Sequence, residues 1–358
     1  MPNEAQWIAS FLEGVRPQEA QGLSDLQALQ LREDIRLMPL QRGDRAFLEA
    51  LPQLGSADYT TGNACVSCTR REQVEGVLTL NDETALFGGF GGMRWLNASW
   101  RHSVAVLSRG NDFRNAPPCL LLFGEAGELA HHVAIPDPSA WEAFLDLVCR
   151  YRGCWTCLQH GAPRPEAVPP GECPGWLVRE AWREAGSDRD LDLRLGKLGL
   201  TRLLALRSME GLHTSPLHPQ DLSSFLSQLA AARLTTQVRL GNRHCLQVLE
   251  APVERLEIGA RTWELRMGPT TLRLNPSTLD SVWLVIPPWT QGERPQIECY
   301  GRNGESVLTL ACPATPSPLD QAGWQQALGR LEALPAGRDA GRPESLAAPA
   351  RGGRRRDS

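Results

Sequence analysis

Four residues near the middle of the chain could bind a metal ion. Cys154, Cys157, His160 and Cys173 bring three thiols and one imidazole together within 20 residues, and these groups are the usual ligands of tetrahedral zinc. Cys149 precedes Cys154 by five positions, which matches half of a plant-type ferredoxin spacing. A C-x-x-C pair such as Cys154 and Cys157 can also be redox-active. Zinc, an iron–sulfur cluster, a redox pair and ordinary reduced thiols all remain open.

The composition is that of a soluble, two-domain protein. The chain has 358 residues, 42% of them hydrophobic and 22% charged, and this length predicts about two domains. The formal net charge of -4 gives no electrostatic case for nucleic-acid binding. The N-terminus has no basic segment followed by an apolar one, and no apolar run is long enough to span a membrane. With ten cysteines expected to be reduced, we predict a cytoplasmic protein without membrane insertion.

The second half of the chain repeats the first. CLLLFGEAGELAHHVAIP, which begins at Cys119, aligns without a gap on QIECYGRNGESVLTLACP, which begins at Gln296. FLEALPQL from Phe47 similarly matches FLSQLAAA from Phe225. One repeat of this length is a domain rather than a short solenoid unit. The cleft between two such domains is a preferred position for a ligand.

The elements that must position these residues alternate between helices and short strands. Alternating apolar runs divided by Gly, Asn and Pro predict antiparallel strands, with hairpin turns at 123–127 and 300–304 because their glycines tolerate positive φ. Helices are expected to flank the strands in both halves. We predict an α+β fold of two tandem repeats, each a large antiparallel sheet with flanking helices. The predicted divisions are 1–158 (first repeat), 159–197 (Pro-rich linker and connecting helix), 198–334 (second repeat) and 335–358 (disordered tail).

Several motifs then match a known family. In chain order these motifs are LEALPQLG, WRHSVAV, FGEAGELAHHVAI, the Pro-rich linker, GLTRLLALR, and GNRHCLQ followed by APVER. Together they resemble the bacterial hemin-degrading factor family, the cytoplasmic hemin transport proteins of the HemS type. The resemblance covers about residues 5–333 and includes the duplication. It implies two similar antiparallel sheets with heme beside the second copy. It also implies transfer of heme from an importer to a downstream acceptor and, in some members, opening of the ring with an external reductant.

The family's axial histidine is missing here. Its counterpart, ten positions before Gly199, is Arg189, and a guanidinium cannot ligate iron. Arg189 could instead contact a heme propionate, and Arg202 matches an arginine of the family pocket. Other family pocket positions fall near Pro287, Thr309 and Ala311, none of which keeps the family side chain. Heme-degrading activity is therefore expected to be weakened.

A substitute iron ligand must come from another histidine. His213 is favoured by its position just after GLTRLLALR, whereas His244 in GNRHCLQ ranks below it. His102 and His131 are expected to be buried strand residues. Two hypotheses follow from the resemblance: a cytoplasmic heme-binding protein with an altered pocket, or a non-catalytic relative that kept the scaffold and binds another ligand or partner.

Overall fold

Two large antiparallel sheets form the body of the protein. The computed structural model describes residues 23–41, 45–80, 83–88, 91–96, 100–108, 117–154, 175–287, 294–313 and 315–332. Residues 159–174 of the predicted linker segment and the whole predicted tail lie outside these ranges. The strands are β1 (Ile35–Leu40), β2 (Ser56–Gly62), β3 (Val66–Gln73), β4 (Gly76–Leu80), β5 (Glu83–Gly88), β6 (Gly91–Leu96), β7 (Trp100–Ser108), β8 (Cys119–Gly124), β9 (Leu129–Ala134), β10 (Thr214–Leu217), β11 (Thr235–Gly241), β12 (Cys245–Pro252), β13 (Arg255–Ile258), β14 (Trp263–Met267), β15 (Thr270–Leu274), β16 (Leu279–Val285), β17 (Gln296–Gly301) and β18 (Ser306–Ala311).

Each sheet takes strands from both halves of the chain. The first sheet has the order β1-β7-β8-β9-β2-β3-β15-β14-β13, and the second has the order β10-β16-β17-β18-β11-β12-β6-β5-β4. The segment 255–274 thus extends the first sheet by pairing β15 with β3, and the segment 76–96 extends the second by pairing β6 with β12. The fold is the predicted α+β arrangement of two antiparallel sheets. The two halves are nevertheless interleaved, because each lends three strands to the other's sheet.

Helices flank the sheets in both halves of the chain, as expected, but Arg202, which was expected on a strand, begins a helix. They are α1 (Asp25–Gln30), α2 (Arg45–Ala50), α3 (Trp141–Arg150), α4 (Gly175–Glu184), α5 (Asp188–Lys197), α6 (Arg202–Ser208), α7 (Pro219–Ala231) and α8 (Pro318–Glu332). Within the described part of the chain, none of the helices is long and apolar enough to cross a membrane.

The second sheet is packed on both of its faces. Helices α7 and α8 contribute Phe225 and Trp324 to one core, where the two rings meet edge to face at 5.3 Å. Trp263 of the exchanged segment packs into the same core. On the other face, α4, α5 and α6 pack against Trp283 and Tyr300. The helices that carry the polar residues described below are therefore held on this second face by a separate apolar core.

Two asparagine side chains form hydrogen bonds between the two halves. The Asn63 side chain, between β2 and β3, donates hydrogen bonds to the carbonyls of Gly241 and Val307 at 2.9 and 2.8 Å. The Asn242 side chain, between β11 and β12, donates in return to the carbonyls of Gly62 and Ala130 at 2.9 and 2.8 Å. The two β-turns therefore lie side by side, each satisfying backbone groups of the other half.

The repeat also extends further than the strands. GLSDLQALQ, ending at Gln30, aligns on GLTRLLALR, ending at Arg207, at the same offset as the strand repeat. Ser24 and Thr201 are the corresponding N-cap residues of α1 and α6, and each accepts a hydrogen bond from a backbone N–H of the first turn. The predicted hairpin turns are confirmed, with Gly127 and Gly304 at φ of 80° and 75°.

Candidate functional site

A cleft of about 910 Å³ opens where the two sheets meet. This volume lies near the upper end of the ~300–1,000 Å³ typical of small-molecule and cofactor sites. Its wall is built from both halves and from helices α1, α5 and α6. The lining residues are Asp25, Gly62, Asn63, Ala64, Glu128, Leu129, Asp188, Asp192, Arg202, Arg239, Leu240, Gly241, Asn242, Arg243, His244, Leu246, Glu298, Asn303, Glu305, Ser306, Val307 and Thr309.

Arg202, the first residue of α6, is surrounded by carboxylates. Its Nε donates to both oxygens of Glu298, at 3.1 and 2.9 Å. Its Nη1 donates to Asp192 at 2.9 Å, and its Nη2 donates to Asp188 at 2.8 Å and again to Glu298 at 2.7 Å. The Arg202 side chain is only 15% exposed and that of Glu298 only 3%. Each guanidinium nitrogen is thus already bound to a carboxylate of the protein itself.

Neighbouring polar side chains complete this network. Gln296 donates to Glu298 at 2.8 Å and to Asp188 at 3.1 Å, and the Tyr300 hydroxyl donates to Glu298 at 2.6 Å. Arg239 on β11 donates to Asp188 through Nη2 at 3.1 Å. Its Nε and Nη1 have no hydrogen-bond partner among the described residues, so Arg239 retains donors for a ligand.

The pKa shifts follow from burial and from these pairs. Burial by itself raises the pKa of Asp188, but the guanidinium groups of Arg202 and Arg239 outweigh burial and lower it. Burial raises the pKa of Asp192, and Arg202 offsets only part of that effect. Burial lowers the pKa of Arg202, but Glu298 and the two aspartates more than compensate, so its pKa lies well above the usual value. Arg202 is therefore a permanent cation held by the protein.

The opposite wall carries a histidine. His244, in the turn between β11 and β12, is 4% exposed and its Nε2 lies 2.9 Å from Glu128 Oε1. Arg243 lies 3.4 Å from the same oxygen. The Nδ1 atom of His244 is buried without a hydrogen-bond partner in the described structure. The backbone of Gly124 passes against the ring, since a Cβ there would lie 2.4 Å from His244 Cε1.

Asp25 completes this wall and occupies the position that corresponds to Arg202. In the extended repeat, Asp25 is the first residue of α1 as Arg202 is the first residue of α6. Its carboxylate accepts a hydrogen bond from the backbone N–H of Leu129 at 2.8 Å. Burial raises the pKa of Asp25 to about 6, with Glu128 adding to the rise and the Leu129 bond opposing it. The two copies thus present opposite charges to one cleft.

The structure separates the residues that the sequence grouped as heme contacts. Arg202 lines the cleft, but its nitrogens are occupied as described. Arg189 lies in the first turn of α5, next to Asp188, and its side chain is outside the described part. His213 does not line the cleft; its ring stacks on Trp182, with centroids 6.3 Å apart and planes 15° apart. His213 therefore packs against α4, whereas His244 lies in the wall of the cleft.

The other predicted positions have simpler environments. His131 is buried, with Nδ1 2.8 Å from the Thr61 hydroxyl, and burial lowers its pKa to about 3. His102 is 4% exposed within β7. Cys154 is exposed, whereas Cys157, His160 and Cys173 lie outside the described residues, so the zinc site stays a prediction. No group of three His, Cys, Asp or Glu side chains suited to a metal ion occurs in the described ranges.

Sequence reasoning missed the acidic half of the site. The aligned repeat contains a signal for it, because Gln296 and Glu298 occupy the positions of Cys119 and Leu121 in the first copy. Polar residues at strand positions that are apolar in the sister copy mark where the second copy builds a site. Of the other family pocket positions, Thr309 lines the cleft, whereas Pro287 and Ala311 are not among its lining residues.

Part of the chain matches one family model, and two solved structures share the fold of nearly the whole chain. Residues 199–331 match the domain family described as the haemin-degrading HemS.ChuX domain. Among solved structures, holo-PhuS, a heme-binding protein from Pseudomonas aeruginosa, superposes with a TM-score of 0.79 at 23% identity, covering 93% of this chain and 100% of that one. The heme degrading enzyme ChuS of Escherichia coli O157:H7 gives a TM-score of 0.75 at 16% identity, covering 91% and 97%. A search of curated proteins gave no significant match.

Proposed function

We propose that this chain, whose residues 199–331 match the haemin-degrading HemS.ChuX domain, binds heme, or a closely related tetrapyrrole, in the cleft between its two sheets. The observation that carries the proposal is the overlap between the family domain and the cleft. Residues 199–331 supply most of the lining, including Arg202, Arg239 and His244. The cleft volume is also of the size that a cofactor requires.

His244 is the residue we propose to contact the heme iron. It is the histidine among the described residues that lines the cleft. Glu128 holds Nε2, whereas Nδ1 is buried without a hydrogen-bond partner in the described part, so the side chain would have to rotate to present Nδ1 to the iron. Metal-binding histidines commonly have this arrangement, in which a carboxylate orients the ring and raises its basicity. Arg239, with two donor nitrogens left, is the residue we propose for polar contacts at the heme edge.

The biological role that fits these residues is heme trafficking within the cytoplasm, between an importer and a downstream acceptor. Bound heme iron supplies the oxygen chemistry in heme-degrading enzymes. This chain's own residues would orient the ring and limit access of water. Because the pocket lacks the family's axial histidine at Arg189, we propose that any ring opening is slow and that carriage is the main activity.

A hemin titration tests the proposal. Purified full-length protein should give a saturable, one-to-one shift of the Soret band, and an unchanged free-hemin spectrum at micromolar protein would refute heme binding. His244→Ala should change the spectrum of the complex away from an imidazole-ligated form, and added free imidazole should restore it. His213→Ala is the matched control and should leave the spectrum unchanged. If the spectrum responds to His213→Ala and ignores His244→Ala, the assignment of the ligand is wrong.

A second candidate, a relative that binds a ligand other than heme, is favoured by one observation. The arginine that matches the family pocket is fully engaged by Glu298, Asp188 and Asp192. The same hemin titration separates the two, since only the first predicts a stoichiometric complex.

A further inference from the structure

The carboxylates around Arg202 occupy the place where a ligand carboxylate would pair. Arg202 donates from Nε, Nη1 and Nη2 to three protein carboxylates at 2.7–3.1 Å. Bidentate pairing of this kind is the geometry by which arginine recognises a propionate. Here Glu298 provides that pairing from within the protein.

Displacing Glu298 by a ligand carboxylate would leave a buried charge uncompensated. Its side chain is 3% exposed, and it is fixed on the far side by the Tyr300 hydroxyl at 2.6 Å and by Gln296 at 2.8 Å. A buried carboxylate that loses its cation is strongly unfavourable. An incoming propionate therefore meets an anion that cannot move out of its way.

The net charge of the whole cleft also disfavours a ligand carboxylate. The lining contains six carboxylates, on Asp25, Glu128, Asp188, Asp192, Glu298 and Glu305, and three guanidinium groups, on Arg202, Arg239 and Arg243. Six negative and three positive groups give a formal charge of -3, with His244 counted as neutral. Ligand carboxylates entering this cleft would be repelled, because charges interact more strongly where water is partly excluded.

We infer that Glu298, Asp188 and Asp192 make this wall select a tetrapyrrole edge without free carboxylates. The edge that faces Arg202 would be apolar, esterified or amidated, and hydrogen-bond donors on it would be accepted by the wall. Heme could enter only with its propionates turned away from Arg202. This inference rests on the proposed tetrapyrrole binding and specifies which chemical form the cleft prefers.

Paired titrations with hemin and hemin dimethyl ester test the inference. The two probes share the ring and the iron and differ only in whether the propionates are charged. The wild-type protein, in one detergent-containing buffer, should bind the ester at least as tightly as hemin. Glu298→Gln removes one carboxylate and releases Arg202, and should shift the preference toward hemin by about tenfold, the effect of one charge-assisted hydrogen bond. Asp192→Asn, at a half-exposed side chain, should shift it in the same direction without a risk to folding.

A variant outside the cleft provides the control. Asp280→Asn removes a surface carboxylate that faces Arg207 at 3.8 Å, outside the cleft, and should leave the preference unchanged. Wild-type binding of hemin more than threefold tighter than the ester overturns the inference while leaving heme binding intact. An unchanged preference in both Glu298→Gln and Asp192→Asn also overturns it. If neither probe binds, the proposed function itself fails and the inference with it.

Discussion

Replacing Arg202 by leucine should destabilise the protein far more than replacing a surface arginine on the same helix. The substitution removes the cation that Glu298, Asp188 and Asp192 share. Breaking a buried ion pair typically costs about 3–5 kcal/mol, because the remaining charge is left buried. The half-exposed Asp192 adds little, since exposed pairs contribute about 0–1 kcal/mol. We therefore expect a loss of about 3–5 kcal/mol in the free energy of unfolding.

The measurement is urea unfolding followed by fluorescence and circular dichroism. With an m value of about 3 kcal/mol/M, the midpoint should fall by roughly 1 to 1.7 M at unchanged m. Arg207→Ala is the control, because Arg207 lies one turn further along the helix and contacts Asp280 at 3.8 Å in a half-exposed pair; its loss should stay below about 1 kcal/mol. Coincident transitions by the two probes are required for these free energies to be compared.

The pH dependence gives a second and independent check. Without Arg202, the pKa of Asp192, which burial already raises, rises further in the folded state, and Asp188 loses one of the two guanidinium groups that lower its pKa. A carboxylate with a raised folded pKa destabilises the protein above that pKa and ceases to do so as the pH falls below it. The stability deficit of Arg202→Leu should therefore shrink between pH 7 and pH 5.

A double substitution, Arg202→Leu with Glu298→Leu, should recover more than half of this stability deficit, because apolar pairs can replace buried ion pairs. A deficit within about 1 kcal/mol of the Arg207→Ala control would refute the reasoning.

Three further predictions concern other parts of the cleft. Asn242→Ala removes two hydrogen bonds across the halves and two within the turn, and should cost about 2–4 kcal/mol in urea unfolding, whereas Asn303→Ala on the same cleft should cost less than about 0.5 kcal/mol. Asp25→Asn should be more stable than wild type at pH 7 by about 1–3 kcal/mol, because burial raises the pKa of Asp25 to about 6; the advantage should disappear as the pH falls through 6 toward 4, and an equal difference at pH 8 and pH 4 would contradict it. Arg239→Ala should weaken binding of hemin and of hemin dimethyl ester by a similar factor of about ten, because a guanidinium donates to a neutral acceptor as well as to a carboxylate, with the Soret titration as the assay and Arg207→Ala as the unaffected control.

The local structure of this chain could be predicted from its sequence because turn and helix signals lie within short segments. Gly127 and Gly304 predicted hairpin turns because positive φ is available to glycine, and both adopt it. The helices that were expected to flank the strands are present in both halves. The candidate site was predicted less completely than the local structure. Arg202 was recognised as a pocket residue, but its partners Glu298 and Asp188 were not, since nothing in the local sequence around Arg202 shows that carboxylates converge on it.

The sequence by itself determined the duplication and the α+β class and indicated the family of residues 199–331, because these depend on periodicity and on motifs that are continuous along the chain. Only the tertiary structure decided that the halves exchange three strands each, since pairing of β3 with β15 joins segments some 200 residues apart. It likewise decided that His244 meets Glu128, 116 residues away, and that Arg202 meets Glu298, 96 residues away. Contacts at such separations depend on how the sheets pack together, and that packing determines which charges face a ligand.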